Sequence, residues 1–180
     1  MKLAAAVIIL AALAGMALLA LQPDRGSMSG GVVHDRTDHS APKIIESREI
    51  TDLEASFWLE DGHLPRGRWT LSASRKSSGV VLLSIQGRLQ AQTQLEASFL
   101  ADVQDVIERF ELVKRNGMDR VTSGLPYQFS PCSLRVAYAS RERLYFRSNG
   151  NPREEWPKSL LKIFLRELDR TQHVMKQEPL

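Results

Sequence analysis

Cysteine is almost missing from this chain of 180 residues, since Cys132 is the only one. A single cysteine cannot form a disulfide within the chain or a zinc site built from several thiolates. We expect Cys132 to be a small buried apolar residue, with pairing between two exported chains as the alternative. The chain also has little excess charge, because 24 Lys and Arg against 21 Asp and Glu leave only +3. So small a surplus does not indicate a nucleic-acid-binding protein.

Motifs of common catalytic and cofactor-binding sites are lacking as well. The sequence contains no G-x-S-x-G, no H-E-x-x-H, no phosphate-binding glycine loop and no dinucleotide-binding fingerprint. Of the four histidines only His63 lies in the predicted domain, and neither it nor Cys132 has an evident orienting group. We therefore expect no cofactor and no catalytic residues. A small exported hydrolase, with a site assembled from scattered polar residues, is the alternative.

The sequence does contain a long apolar segment near its amino end. Residues 3–21 form an uninterrupted apolar run of 19 residues, which ends at Gln22 and Pro23. As a helix the run would be about 28 Å long, close to the about 30 Å thickness of a bilayer's hydrocarbon core. It is longer than the apolar centre of a usual cleaved signal peptide and lacks a good cleavage site. Residues 1–21 are therefore predicted to be a signal anchor, with a cleaved signal peptide as the alternative.

The charges flanking this run predict its orientation. Lys2 and the terminal amine lie on one side, Asp24 and Arg25 cancel on the other, and the positive side stays in the cytoplasm. We expect an inner-membrane protein with a single span and its carboxyl-terminal domain outside the cytoplasm. If the segment is cleaved, the protein is secreted or periplasmic. The membrane, contacted through residues 3–21, is thus the first expected partner.

Composition divides the rest of the chain into a linker, a domain and a tail. Residues 22–42 are rich in glycine and serine and show no hydrophobic period, which predicts a flexible linker. Two His and two Asp in this segment could hold a metal, but a mobile loop gives them no fixed geometry, so no metal site is expected. These four residues are His34, Asp35, Asp38 and His39. A single domain is predicted over 43–172, and a frayed tail over 173–180.

Hydrophobic periodicity predicts the fold class of that domain. Extended or alternating patterns, typical of strands, occur over 44–58, 68–74, 80–86, 134–139 and 143–147. Apolar residues at steps of three and four predict a helix that begins at Ser98 and buries Phe110, and a later helix that buries Phe164. We therefore predict an α+β domain. Its antiparallel sheet has about five strands, both helices pack on one face, and the transmembrane or signal helix precedes it.

The same alternation predicts a basic solvent face on the sheet, away from the helices. Arginines beside an aromatic side chain on a flat sheet can bind an envelope protein or an anionic polymer. Because the domain is expected outside the cytoplasm, nucleic acid is not an expected partner. The alternative is that the arginines only keep an open sheet soluble. The candidate binding residues are Arg68, Arg135, Arg143, Tyr145 and Arg147. The expected function is non-enzymatic binding of a protein or anionic polymer outside the cytoplasm, and the sequence does not indicate the oligomeric state.

Overall fold

The computed structural model describes residues 31–59, 64, 66–87 and 90–177, and within these ranges the chain forms a large sheet and two α-helices. The strands are β1 (Val33–Asp35), β2 (Ile50–Leu59), β3 (Gly67–Arg75), β4 (Val80–Gln86), β5 (Ala91–Glu96), β6 (Asp119–Thr122), β7 (Pro131–Tyr138) and β8 (Arg143–Asn149). The helices are α1 (Phe99–Arg109) and α2 (Trp156–Gln177). The predicted α+β class with a mostly antiparallel sheet is confirmed.

The prediction of about five strands is wrong. Within the described ranges the sheet has eight strands, in the order β1-β6-β8-β7-β2-β3-β4-β5. All neighbouring pairs are antiparallel except β6 and β8, which run parallel. The strands that periodicity did not predict are β1, β5 and β6. Two of these have only 3 and 4 residues, and the third has no fully buried position, so none carries a strong apolar alternation.

The core lies between one sheet face and the two helices. Apolar residues at alternate positions of β2, β3, β4, β7 and β8 are buried in the same cluster as the apolar stripes of α1 and α2. Trp156, at the start of α2, packs edge-on against Phe57 and Phe146 of two different strands, with ring centroids 5.8 and 5.6 Å apart. Phe164 packs edge-on against Phe99 and is fully buried. The opposite sheet face is called the outer face below.

The first helix is shorter than its sequence predicts, since the apolar period runs from Phe99 to Val113. It ends at Arg109, and Glu111 adopts a left-handed backbone conformation with φ of 51° before a 3-10 turn at Leu112–Arg115. Ser98 precedes the helix but its hydroxyl makes no capping hydrogen bond. Phe110 is consequently only partly buried at the rim of the core, so its predicted full burial is wrong.

The folded unit begins earlier than the sequence predicts, at Gly31 rather than Lys43. Part of the predicted linker is therefore structured, because β1 pairs with β6. At the other end α2 extends to Gln177, beyond residue 172. The predicted transmembrane or signal helix over 1–21 lies outside the described residues. Within the described ranges, no helix is long and apolar enough to cross a membrane.

Candidate functional site

The hairpin of β7 and β8 brings four of the five predicted binding residues together on the outer face. Arg135 lies directly opposite Tyr145, while Arg143 and Arg147 lie opposite Ala137 and Ser133, two residues to either side of Arg135. The Arg135 guanidinium stands over the Tyr145 ring, 5.6 Å from its centroid, in a cation–π arrangement. We call Arg135, Arg143, Tyr145 and Arg147 the arginine face.

Two of these arginines have a carboxylate neighbour on an adjacent strand. Arg135 lies 4.0 Å from Glu54 of β2, and Arg147 lies 3.8 Å from Asp119 of β6. Among the described residues no carboxylate lies within 4.0 Å of the Arg143 guanidinium, so its charge is left without an ion pair. The Arg135–Glu54 pair is long and exposed, and the Arg147–Asp119 pair is long and partly exposed. Such pairs contribute only about 0–1 kcal/mol. The face is therefore positive, but less crowded with like charge than the sequence alone suggests.

Arg68, the fifth predicted residue, does not belong to this group. It is opposite Trp58 on β2, whereas Arg135 is opposite Glu54, and β2 separates the two strands that carry the arginines. The Arg68 guanidinium donates a hydrogen bond to the Ser56 hydroxyl at 3.2 Å. Its surroundings are thus a separate part of the outer face.

A buried asparagine holds the strand that carries most of the arginine face. Asn116, only 4% exposed, accepts a hydrogen bond from the Tyr145 N–H through Oδ1 at 2.8 Å. Its Nδ2 donates to the carbonyls of Arg143 and Pro42, at 3.1 and 2.9 Å. Lys43 Nζ also donates to the Asn116 carbonyl. One side chain therefore ties the backbone of two site residues to the segment that precedes β2.

The outer face ends in a cavity of about 470 Å³ beside β1 and β6, which we call the edge cavity. Its walls include His34 and Arg36 from β1 and the residue after it, Asp119 and Val121 from β6, and Arg147 from β8. Arg147 thus belongs both to the arginine face and to the edge cavity. Sequence reasoning missed this site because His34 and Arg36 fall in the predicted linker. Only the pairing of His34 with Val121 places them on the sheet.

The loop 123–130 contributes residues to the lining of the edge cavity and is held from two sides. Asn149 donates hydrogen bonds to the carbonyls of Thr122 and Phe129, both at 3.0 Å, and accepts one from the Thr122 N–H at 2.7 Å. Farther along the loop, the Tyr127 ring packs against the Trp58 indole with centroids 5.0 Å apart. These contacts join the ends of the loop to β6 and β8 and its middle to β2.

The remaining candidate chemistry does not converge on a site. Cys132 is buried, and burial raises the pKa of its thiol, which keeps it in the unreactive protonated form. His63 lies outside the described residues. In the described parts of the chain no three metal-ligating side chains cluster, and Asp35 instead pairs with Arg120 at 3.6 Å.

Comparison with protein families, curated proteins and solved structures finds no match to this chain. Arguments about function therefore rest on the arginine face and the edge cavity.

Proposed function

We propose that this protein is a non-enzymatic binding domain, tethered to the membrane or exported, which binds an anionic polymer or an acidic protein surface outside the cytoplasm. The observation that carries the proposal is the register of β7 and β8, since it gathers Arg135, Arg143, Tyr145 and Arg147 on one solvent face. Location outside the cytoplasm rests on the apolar run of residues 3–21.

The arrangement suits an extended anionic partner. Arg143 and Arg147 are four residues apart on one strand, a spacing of about 13 Å, and Arg135 lies between them on the next strand. Each guanidinium can donate two parallel hydrogen bonds to a carboxylate or phosphate group. Glu54 and Asp119 are weakly held neighbours, so an incoming anion can replace them at little cost. A row of anionic groups would then contact the three arginines in turn.

The hydrolase alternative receives less support from the geometry. A nucleophilic mechanism needs a hydroxyl or thiol hydrogen-bonded to a base that a third group orients. In the edge cavity the Ser123 hydroxyl instead donates to the Val32 carbonyl at 3.2 Å. Among the described residues His34 makes no hydrogen bond to a hydroxyl. The arrangement is therefore typical of binding rather than of nucleophilic catalysis.

The binding proposal is tested by changing Arg135, Arg143 and Arg147 to Ser in the full-length protein. We expect the triple variant to lose retention on immobilised dextran sulfate and on anionic envelope extracts. Retention of the wild type should weaken as salt rises, because salt screens charges over about 8 Å at physiological ionic strength. Stability should change little, since one ion pair is exposed and the other is long and partly exposed.

A matched control removes the same charge elsewhere. Arg48, Arg109 and Arg153 are exposed and lie outside the arginine face, so changing all three to Ser should preserve retention. If the two triple variants are retained equally, the arginine face is only a solubilising surface and the binding proposal fails.

The proposed location has its own test, a fusion of alkaline phosphatase after Leu180. The reporter is active only outside the cytoplasm, so we expect an active fusion in bacterial cells. A stably expressed but inactive fusion would contradict export of the domain.

A further inference from the structure

The edge cavity combines positive charge with an apolar wall, a combination that the arginine face lacks. The residues that line it include Arg36 and Arg147, together with the apolar residues Val121, Leu125 and Phe129. We propose that the edge cavity binds a small organic anion, a carboxylate or phosphate group attached to a flat apolar body. This inference goes beyond the proposed polymer binding and does not rest on it.

The charges in the cavity favour an anion. Arg36 has no carboxylate within 4.0 Å among the described residues, and Arg147 has only Asp119, at 3.8 Å. Asp119 is the only carboxylate among the described residues that line the cavity, against two arginines and His34. An anionic group can thus gain charge-assisted hydrogen bonds from Arg36 without displacing a strong pair, and from Arg147 in competition with Asp119.

The apolar wall favours a ligand with a hydrophobic body. Leu125 and Phe129 are 40% and 37% exposed and both line the cavity, so they present apolar surface to it. Val121, by contrast, is buried on the outer-face side of β6 although it is not part of the main core. A flat apolar group inserted beside Val121 would cover the two exposed side chains. The volume of about 470 Å³ lies within the range of small-molecule sites.

Contacts within the protein hold the loop that lines the cavity. Asn149 fixes the ends of the loop 123–130, and the packing of Tyr127 on Trp58 fixes its middle. A site whose walls are already in place loses less conformational entropy on binding than a loop that must first fold. The geometry therefore suits direct binding.

The inference is tested by calorimetric titration of the full-length protein with four probes. These are 1-naphthyl phosphate, 1-naphthoate, the neutral 1-naphthol and inorganic phosphate. Each probe is also titrated into the same detergent buffer without protein, as a blank. We expect at least one naphthyl anion to bind more tightly than both naphthol and inorganic phosphate. The tighter of the two naphthyl anions identifies the anionic group. If neither exceeds both reference probes, the inference is overturned.

Variants on the two faces of the sheet show where the probe binds. Arg36→Gln should lower the affinity for the naphthyl anion by about tenfold, equivalent to about 1.4 kcal/mol of binding free energy. Arg120→Gln removes the same charge from β6, but Arg120 does not line the cavity, so affinity should be unchanged. Asp119→Asn should strengthen binding by about two- to fivefold, because it frees Arg147 from a half-exposed pair.

The outcomes separate this inference from the polymer-binding proposal. Arg36→Gln should bind the naphthyl anion about tenfold more weakly. It should keep its retention on dextran sulfate, because Arg36 is not part of the arginine face. Equal affinities of Arg36→Gln and Arg120→Gln, with both variants folded by circular dichroism, would exclude the edge cavity as the binding site. That result would leave the polymer-binding proposal untouched.

Discussion

Replacing Asn116 with Ala should destabilise the domain more than any other exchange of one asparagine for alanine that the structure suggests. The side chain is 4% exposed and makes three hydrogen bonds to backbone groups: the Tyr145 N–H and the carbonyls of Arg143 and Pro42. Alanine leaves all three groups without that partner. Since Arg143 and Tyr145 belong to the arginine face, the change acts on the site as well as on stability.

The expected magnitude follows from the cost of unpaired groups. A buried donor or acceptor left unsatisfied costs about 1–3 kcal/mol, and water can reach some of these groups after truncation, so we expect a total loss of about 2–4 kcal/mol. This is a large part of a usual domain stability of about 5–15 kcal/mol. In thermal unfolding the loss corresponds to about 4–16 °C, since 1 kcal/mol shifts the Tm of a domain of this size by about 2–4 °C.

The assay is guanidinium and thermal unfolding of the full-length protein, followed by tryptophan fluorescence. Asn151→Ala is the matched control, because Asn151 is exposed and, among the described residues, its side chain accepts only the Arg153 N–H, at 3.0 Å. It should change stability by less than about 0.5 kcal/mol. Asn116→Asp keeps the shape and the acceptor for Tyr145 but loses both donors, so it should be at least as damaging as alanine at neutral pH. Wild-type stability in either Asn116 variant would refute the role given to these hydrogen bonds.

Two further predictions concern the core and alkaline pH. Phe164→Ala should lower the free energy of unfolding by about 3–5 kcal/mol, because the ring is fully buried against Phe99. Phe110→Ala should lower it by only about 1–2 kcal/mol, because Phe110 is only partly buried. Equal shifts in the unfolding midpoint would contradict this order. Burial raises the pKa of Tyr138 from 10.0 to about 12, so this tyrosine loses its proton at a lower pH in the unfolded chain than in the folded one. The stability of the fold should therefore be unaffected below about pH 10 and should fall as the pH rises towards 12. Absorbance titration of the folded protein, compared with that of Tyr138→Phe, should show Tyr138 ionising well above pH 10. Tyr138→Phe should also flatten the alkaline loss of stability, and ionisation of Tyr138 near pH 10 would argue against the shift.

The parts of the fold that the sequence predicted are those with a local signal. The hairpin of β7 and β8 was predicted because apolar and polar residues alternate there, and alternation directly reports which side chains share a face. The same rule placed Arg135, Arg143, Tyr145 and Arg147 on one face before their neighbours were known. It also predicted the burial of Phe164 on the last helix.

The errors have physical causes that no local pattern reports. The apolar period of the first helix continues past Arg109, because Leu112 and Val113 also reach the core from a 3-10 turn. Nothing in that period indicates the left-handed conformation of Glu111. Composition assigns β1 to a linker, because the Gly- and Ser-rich segment around it shows no hydrophobic period. The structure shows that its 3 residues are exposed and that the strand depends on pairing with β6.

By itself, the sequence determined the α+β class, the two helices and the outer-face position of the arginines, because each depends on the spacing of residues along one segment. The tertiary structure decided which segments are neighbours. Placing β7 between β2 and β8 brings Glu54 beside Arg135, and placing β6 next to β8 brings Asp119 beside Arg147. The edge cavity arises in the same way, since His34 and Arg147 lie far apart in the chain and meet only through the pairing of β1, β6 and β8. Such contacts depend on strand order, which is set by the packing of the whole sheet and not by any single stretch of sequence.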